Sequence, residues 1–175
     1  EHLRVWKDDA GFFGFFDTVD DKEVANALLR AAEDWLRSRG MKTARGPLSL
    51  SINEEMGCLV EGFDTPPMIL MPHHRPYQGS LIEACGYDKA KDVFAWRYEV
   101  GALNARTKRA HEEIKAMPEV TCRPVSPKDL DRDVTLVTDI FNDAWAENWG
   151  FVPFTRNEVR KMAKDFKLIL EPEIT

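Results

Sequence analysis

The segment from Leu81 to Val100 constrains the fold most, because an amphipathic helix and an aromatic-rich strand follow one another across a single glycine. The apolar residues of 81–85 predict a short helix, and Gly86 stands where a helix ends in the left-handed backbone conformation. Aromatic side chains then occupy every second position from 94 to 98. This period of two predicts a half-buried strand over 93–100.

Composition places the chain among ordinary globular proteins and excludes several functional classes. Its 175 residues are 43% hydrophobic and 31% charged, which suits one sizeable core. A net charge of -6 with interleaved basic residues argues against a nucleic-acid-binding surface. No apolar run approaches the roughly 20 residues of a membrane span. Three cysteines without a CxxC motif predict reduced thiols, and therefore a cytoplasmic protein.

The first half of the chain has the pattern of a strand–helix–strand unit. Residues 11–17, GFFGFFD, predict a buried strand in the middle of a sheet. Asp20 and Asp21 offer the N-cap of a helix that Gly40 ends, and residues 43–52 predict a second strand, parallel to the first. The expected fold class is therefore α+β. The apolar positions predicted to face the core from this helix are Val24, Ala27, Leu28, Ala31, Trp35 and Leu36.

A proline-rich stretch follows, with four prolines between residues 66 and 76. This density excludes a regular helix and predicts a long shaped loop, within which 68–71 could form a short strand. We expect the loop to form the mouth of a pocket. Its expected apolar walls are Phe63, Met68, Met71 and Tyr77, and its polar points are Glu61, His73, His74 and Arg75.

The second half of the chain is predicted to be mainly helical. Residues 104–117 form a polar helix that Pro118 ends, and 120–125 form a short strand. A helix follows Ser126. Thr155 caps a last helix, and 167–174 begin a further strand. The apolar face of the helix after Ser126 is expected to comprise Leu130, Val134, Val137, Ile140, Phe141 and Trp145.

This chain resembles the GNAT acyltransferases, whose last helix ends in a Gly-aromatic step, here Gly86–Tyr87, before a strand with several aromatics. The segments GFFGFF, LVEGFDTPPM and NWGFVPF are similar to those of a bacterial GNAT-like group, and the similarity covers nearly the whole sequence. The resemblance implies a central mixed sheet flanked by helices, in which the phenylalanine-rich and tryptophan-bearing strands lie side by side.

The order of the elements implies a piece of a tandem GNAT protein. Residues 1–101 would be the C-terminal half of one GNAT-like domain, and 102–118 a linker helix. Residues 119–175 would be the N-terminal part of a second unit, packed on the first. An exposed edge at the phenylalanine-rich strand would favour aggregation. We therefore expect a strand near Val120 or Lys167 to pair with it, or a homodimer to cover it.

The resemblance implies an N-acyltransferase that moves an acyl group from acetyl-CoA or a longer acyl-CoA to an amine of a small molecule or a protein. GNAT enzymes hold the coenzyme pyrophosphate at a glycine-rich turn before a helix. The corresponding turn, residues 17–22, contains no glycine and three acids. Two like charges about 4 Å apart interact by roughly 4 kcal/mol at an effective dielectric near 20. The turn would thus repel pyrophosphate, an effect that Lys22 offsets only in part.

The residues implied for the site follow from this comparison, and each has a structural alternative. The GNAT proton donor corresponds to Ile82, so Tyr77 and Tyr87 are the nearest candidates; both could instead be packing residues. Glu54 or the adjacent Glu55 could act as a general base if burial raised its pKa, or the two could simply cap a helix or be solvated. Adjacent histidines cannot face one ion, so no metal site is expected. The residues implied for coenzyme binding are Phe16, Asp17, Thr18, Lys22, Ser51 and Asn53.

Two functions of different class remain open. One is the acyltransferase, with a coenzyme A thioester as donor. The other is a catalytically degenerate GNAT-like module that binds a ligand or partner through the proline-rich loop. The acidic turn without glycine favours the second function, and the element order favours the first.

Overall fold

The structure is a computed structural model that describes residues 1–68, 70–97, 99, 101–121, 123–126 and 128–166. Its helices and short strands confirm the α+β class. The chain divides into two compact units, one formed by residues 1–94 with 146–152 and the other by the rest. In chain order the elements are α1 (His2–Trp6), β1 (Ala10–Phe12), α2 (Lys22–Ser38), β2 (Thr43–Arg45), β3 (Leu48–Ser49), β4 (Glu55–Met56), α3 (Tyr77–Ala84), α4 (Ala105–Lys115), α5 (Leu130–Ala144) and α6 (Arg156–Phe166).

The predicted strand–helix–strand unit is confirmed. β1 pairs in parallel with β2, with Ala10 opposite Thr43, and α2 forms the crossover between them. The Asp21 carboxylate caps α2 by accepting hydrogen bonds from the first-turn N–H groups of Glu23 and Val24, at 2.7 and 3.3 Å. Gly40 follows the helix with a φ of 81°, a backbone conformation that glycine adopts readily.

The predicted buried face of α2 is wrong except at Leu36. Leu28 and Trp35 are 46% and 57% exposed, whereas Ala25 and Leu29 are buried. Two apolar rows of helical spacing run along this helix, so periodicity alone does not decide which row faces inward. The buried row contains the smaller Ala25, which allows the helix to approach the core closely.

The predicted strand over residues 11–17 is also too long, because pairing ends at Phe12. Phe13 O accepts a 2.8 Å hydrogen bond from Leu48 N–H. Gly14 packs so closely that an added Cβ would meet the carbonyl oxygen of Leu48. Phe15 then takes a φ of 50° and is 73% exposed. The backbone therefore turns after Gly14 instead of continuing as a strand.

The core of the first unit lies where α2 and α3 pack on the segment that follows β1. α3 begins at Tyr77, earlier than predicted, and ends before Gly86, whose φ is 95° as expected for a glycine that ends a helix. The buried core residues of this unit are Phe13, Phe16, Ala25, Leu29, Leu81 and Ile82.

The predicted central mixed sheet is absent from the described residues, which form two separate two-stranded sheets. The second sheet pairs β3 with β4 in antiparallel fashion, with Leu48 opposite Met56. The strand predicted over 43–52 is interrupted after Arg45 by Pro47, which has no N–H to continue a ladder. Leu50 has a φ of 75°, which ends β3.

Three further predicted strands, over 68–71, 93–100 and 120–125, are wrong wherever the structure describes those residues. Phe94 and Trp96 are 72% and 87% exposed. Alternating aromatics favour a strand only where a partner strand completes the sheet. Among the described residues, the predicted pairing of the tryptophan-bearing segment, or of Val120, with the phenylalanine-rich strand is not found. Ile69, Tyr98, Val100, Cys122 and the predicted strand at 167–174 lie outside the described residues.

The second unit confirms three predicted helices. Asn104 caps α4 by accepting from Thr107 N–H at 2.9 Å. Thr155 and Glu158 form a reciprocal capping box at the start of α6.

No helix in the described part of the chain is long and apolar enough to cross a membrane.

The predicted apolar face of α5 is confirmed at the buried Leu130 and the half-buried Val134 and Phe141, and is wrong at its other three positions. Val137 and Ile140 are both 61% exposed, whereas Asp133 is buried. Asp133 accepts two hydrogen bonds of 2.7 Å from Arg123, which neutralises its charge. An ion pair thus occupies part of the side that periodicity assigns to apolar residues.

Candidate functional site

A cleft of about 690 Å³ in the first unit lies between the proline-rich loop, the segment after β1 and the β3–β4 sheet. Its volume is within the range of small-molecule sites. The loop lines the cleft as predicted through Met68, Met71, His73, His74 and Arg75. The other residues expected at the pocket mouth, Phe63, Tyr77 and Glu61, are not among its lining residues.

Gln78 forms a buried polar floor for this cleft. Its side chain is 1% exposed, and Oε1 accepts a 2.9 Å hydrogen bond from Arg75 N–H. Nε2 donates to Phe16 O at 3.3 Å and to Asp17 Oδ1 at 2.9 Å. A buried amide with all these partners is rigid, so Gln78 holds the Asp17 carboxylate in one orientation.

Asp17 and Glu55 bring two carboxylates to the cleft. Asp17 Oδ1 accepts from Gln78 and from Thr18 N–H, at 2.9 and 3.0 Å. Within the described ranges, Asp17 Oδ2 accepts no hydrogen bond, and neither carboxylate forms an ion pair. The cleft therefore presents negative charge that is not neutralised by those residues, with Arg75 as the opposing cation of its lining.

His74 lies at the side of the cleft, with one ring nitrogen engaged as a hydrogen-bond acceptor. Burial lowers the pKa of His74 from its ordinary value, and the nearby charges of Asp17 and Glu55 offset this only in part. Its Nδ1 accepts a 3.2 Å hydrogen bond from Leu59 N–H. In a neutral ring that accepts at Nδ1, the proton is on Nε2. His74 can therefore donate one hydrogen bond from Nε2.

Large apolar side chains stand at the outer part of the same cleft. Phe15, Met68 and Leu70 are 73%, 67% and 54% exposed, and Met71 lies beside them in the lining. Phe15 and Leu70 both have positive φ, with values of 50° and 60°. Residues other than glycine rarely adopt a positive φ, so both positions mark tight turns of the backbone.

The two candidate tyrosines lie apart from this lining, and both hydroxyls are engaged. Tyr77 donates to Thr18 O at 2.9 Å, which ties the start of α3 to the segment before α2. Tyr87 donates to Glu33 Oε1 at 3.2 Å, in a second cleft of about 350 Å³. Burial and the Glu33 charge raise the pKa of Tyr87 to about 12.

The remaining sequence-predicted residues occupy two other places. Ser51 and Asn53 shape the β3–β4 turn, and Asn53 Nδ2 donates to Val152 O at 2.8 Å. Glu54 in the same turn is exposed, so it lacks the burial expected of a general base. Lys22 is exposed in the first turn of α2, where the Asp21 carboxylate already accepts from two backbone N–H groups.

The structure thus brings Phe16 and Asp17 together in one cleft and places the other candidates elsewhere. Sequence reasoning missed Gln78, and it named Glu54 and Glu55 together as adjacent carboxylates of a possible cleft without deciding between them. A single glutamine has no pattern that marks it as buried, and Glu55 is distinguished from Glu54 only by its place in β4. No group of three or more His, Cys, Asp or Glu side chains in the described ranges is placed to hold a metal ion.

Comparison with known proteins finds similarity to two bacterial proteins. The chain is 45% identical over 166 residues to "Bacterial ceramide synthase" of Caulobacter vibrioides, an alignment that covers 94% of this chain and 43% of that protein. It is 38% identical over 175 residues to "Protein YghO" of Escherichia coli, an alignment that covers 99% of this chain and 44% of that protein. The chain spans less than half the length of either relative. No family model and no solved structure matches it.

Proposed function

We propose that this chain is part of an N-acyltransferase that moves an acyl group from a coenzyme A thioester to the amine of a long-chain amino alcohol. The observation that carries the proposal is the 45% identity with "Bacterial ceramide synthase" over 94% of the chain. A ceramide is the amide of a fatty acid and a long-chain amino alcohol. The GNAT resemblance of the sequence motifs supports the same class of reaction, amide formation from an amine and a thioester.

The proposed reaction forms a carbon–nitrogen bond, breaks a carbon–sulfur bond and moves one proton from nitrogen to sulfur. The amine nitrogen bonds to the thioester carbonyl carbon, the carbon–sulfur bond breaks, and the proton lost by nitrogen is taken up by the leaving thiolate. The products are an amide and the free thiol of coenzyme A. Such a reaction requires the amine to be held beside the thioester in a site that limits access of water. The cleft lined by Asp17, Glu55 and His74 has the volume for one of these substrates.

Acetyl-CoA or a longer acyl-CoA is the proposed donor. Thr18 and Lys22, before and at the start of α2, stay proposed donor contacts, although Asp21 already occupies two N–H groups of that helix. The central GNAT sheet, a cytoplasmic location and a homodimer belong to the same proposal. The sheet would need strands outside the described residues, and the homodimer would need a second chain.

Incubation of the protein with palmitoyl-CoA and a long-chain amino alcohol tests the function. We expect release of the coenzyme A thiol together with an equal amount of N-acyl product, detected by mass spectrometry. The N-acetylated amino alcohol is the matched control, since it has no free amine. Thiol release without amide would indicate thioester hydrolysis and would contradict the proposal.

A non-catalytic binding module is the second candidate, and the capped N-terminus of α2 favours it. The Asp21 carboxylate fills the position that an anion would take at this helix end. In that case the amino alcohol would bind, and neither thiol nor amide would form. The incubation therefore separates the two functions.

A further inference from the structure

We propose that the 690 Å³ cleft is the amine-acceptor site, with the ammonium head group beside Asp17 and Glu55 and the alkyl chain along Phe15, Met68 and Leu70. This inference rests on the proposed function and adds the location of the acceptor. It also changes the role expected for Asp17 from coenzyme binding to acceptor binding.

The charge of the lining favours a cation over the coenzyme. Asp17 and Glu55 contribute two carboxylates, Arg75 contributes one guanidinium, and the imidazoles of His73 and His74 complete the titratable groups of the lining. Coenzyme A carries several phosphate charges, which these carboxylates would repel. An alkylammonium has the complementary charge, and it can donate to carboxylate oxygens in charge-assisted hydrogen bonds.

One of the two carboxylates is already oriented for a ligand. Arg75 N–H fixes Gln78, and Gln78 Nε2 with Thr18 N–H holds Asp17 Oδ1. Asp17 Oδ2 accepts no hydrogen bond from the described residues and can accept one from an ammonium. A preorganised acceptor lowers the entropy cost of binding.

The polarity of the cleft matches an amphipathic ligand. Its polar groups come from Asp17, Glu55, His74 and the buried Gln78. Its exposed apolar side chains come from Phe15, Met68, Leu70 and Met71. Phe15 and Leu70 are exposed in the lining of the cleft, where an alkyl chain would cover surface that is otherwise in water. A short polar amine would leave this apolar surface exposed.

Calorimetric titration of the full chain with dodecylamine and with dodecanol, both below their micelle concentrations at pH 7, tests the site. The two probes share one chain and differ in charge. We expect one bound dodecylamine per chain, with about fivefold higher affinity than dodecanol, the upper end of what one exposed ion pair contributes. Octylamine should bind more weakly, because fewer methylenes are buried.

Variants locate the binding. Glu55→Gln should weaken dodecylamine binding about fivefold, and Asp17→Asn should weaken it similarly while keeping an oxygen acceptor for Gln78. Glu83→Gln is the matched control, because it removes one exposed carboxylate of α3 outside the cleft. Since the net charge of -6 attracts any cation, an equal effect of Glu83→Gln would overturn the site.

Two other results would overturn the inference. One is equal binding of dodecanol and dodecylamine. The other is displacement of dodecylamine by coenzyme A together with tighter coenzyme binding in Glu55→Gln, which would make the cleft a donor site. If dodecylamine binds as expected but no amide forms, the proposed function fails and the site stands. If amide forms and the KM for the amine is unchanged in Glu55→Gln, the function stands and this site fails.

Discussion

Gln78 donates its buried side-chain amide to the Asp17 carboxylate over 2.9 Å and thereby joins α3 to the segment that follows β1. The contact bridges 61 residues of sequence. It connects the core of the first unit to the floor of the larger cleft, so it links stability to the geometry of the candidate site.

Replacing Gln78 should affect both stability and binding. Gln78→Leu leaves the Phe16 carbonyl and the Arg75 N–H without their partner, which should lower the unfolding free energy by about 1–3 kcal/mol. Urea denaturation measures this change. Dodecylamine affinity should fall as well, because Asp17 loses its fixed orientation. Unchanged stability and unchanged affinity would show that this contact orders neither the core nor the cleft.

The buried face of α2 can be tested with two adjacent leucines. Leu29 is 2% exposed and Leu28 is 46% exposed. Leu29→Ala should cost about 2–5 kcal/mol of unfolding free energy, as other buried leucines do. Leu28→Ala should change it by about 0.5 kcal/mol or less. A lower urea midpoint for Leu28→Ala than for Leu29→Ala would mean that the face predicted from periodicity is the buried one.

Glu33 should make the first unit sensitive to acid. Burial raises the pKa of Glu33. Hydrogen bonds from Arg37 and Tyr87 and the charges of Arg30 and Arg37 lower it by more, so the net pKa is below its ordinary value. Its stabilising contribution is therefore present above the unfolded pKa and is lost as pH falls through the folded one. Urea midpoints of Glu33→Gln and the wild type should differ at pH 7 and converge toward pH 3. A constant difference would contradict this linkage.

Tyr87 should titrate late because its pKa is about 12, raised first by burial and then by Glu33. Absorbance of the phenolate measures this directly in an alkaline titration. The wild type should show one tyrosine that ionises about two pH units later than a free phenol, and Tyr87→Phe should lack it. Tyr77→Phe is the matched control and should retain the late step.

The second unit should depend on the ion pair of Asp133 and Arg123. Hydrogen bonds from Arg123 hold the pKa of the Asp133 carboxyl far below its usual range. Asp133→Asn should lower the urea midpoint of this unit at pH 7, and the difference should disappear only at very acidic pH. Asp139→Asn removes an exposed carboxylate of the same helix and should have little effect. Equal effects of the two variants would mean that the pair is not stabilising.

The parts of the fold that were predictable are those set by local backbone chemistry. Asp21 caps α2 because its carboxylate accepts from the first N–H groups of the helix. Gly40 and Gly86 end helices because glycine readily adopts the left-handed backbone conformation. The lack of a strand at residues 93–97 was not predictable, since alternating aromatics form a strand only with a partner strand that no local pattern specifies.

The candidate site was predictable only where the loop composition was informative. The prolines indicated a shaped loop, and the methionines and histidines on it do line the cleft. Gln78 and Glu55 reach the same cleft through tertiary packing, which brings residues 17, 55 and 78 together from distant parts of the chain. Single polar residues have no periodicity, so their burial or convergence leaves no signal in the sequence.

The most direct test of the account is an amide chemical-shift map of the isotopically labelled chain, titrated separately with dodecylamine and coenzyme A. If the larger cleft is the acceptor site, we expect dodecylamine to shift the amide signals of residues 15–17, 55 and 70–78, and coenzyme A to leave those signals unchanged. Shifts from coenzyme A at those residues, or dodecylamine shifts centred on the smaller cleft around Tyr87, would contradict it.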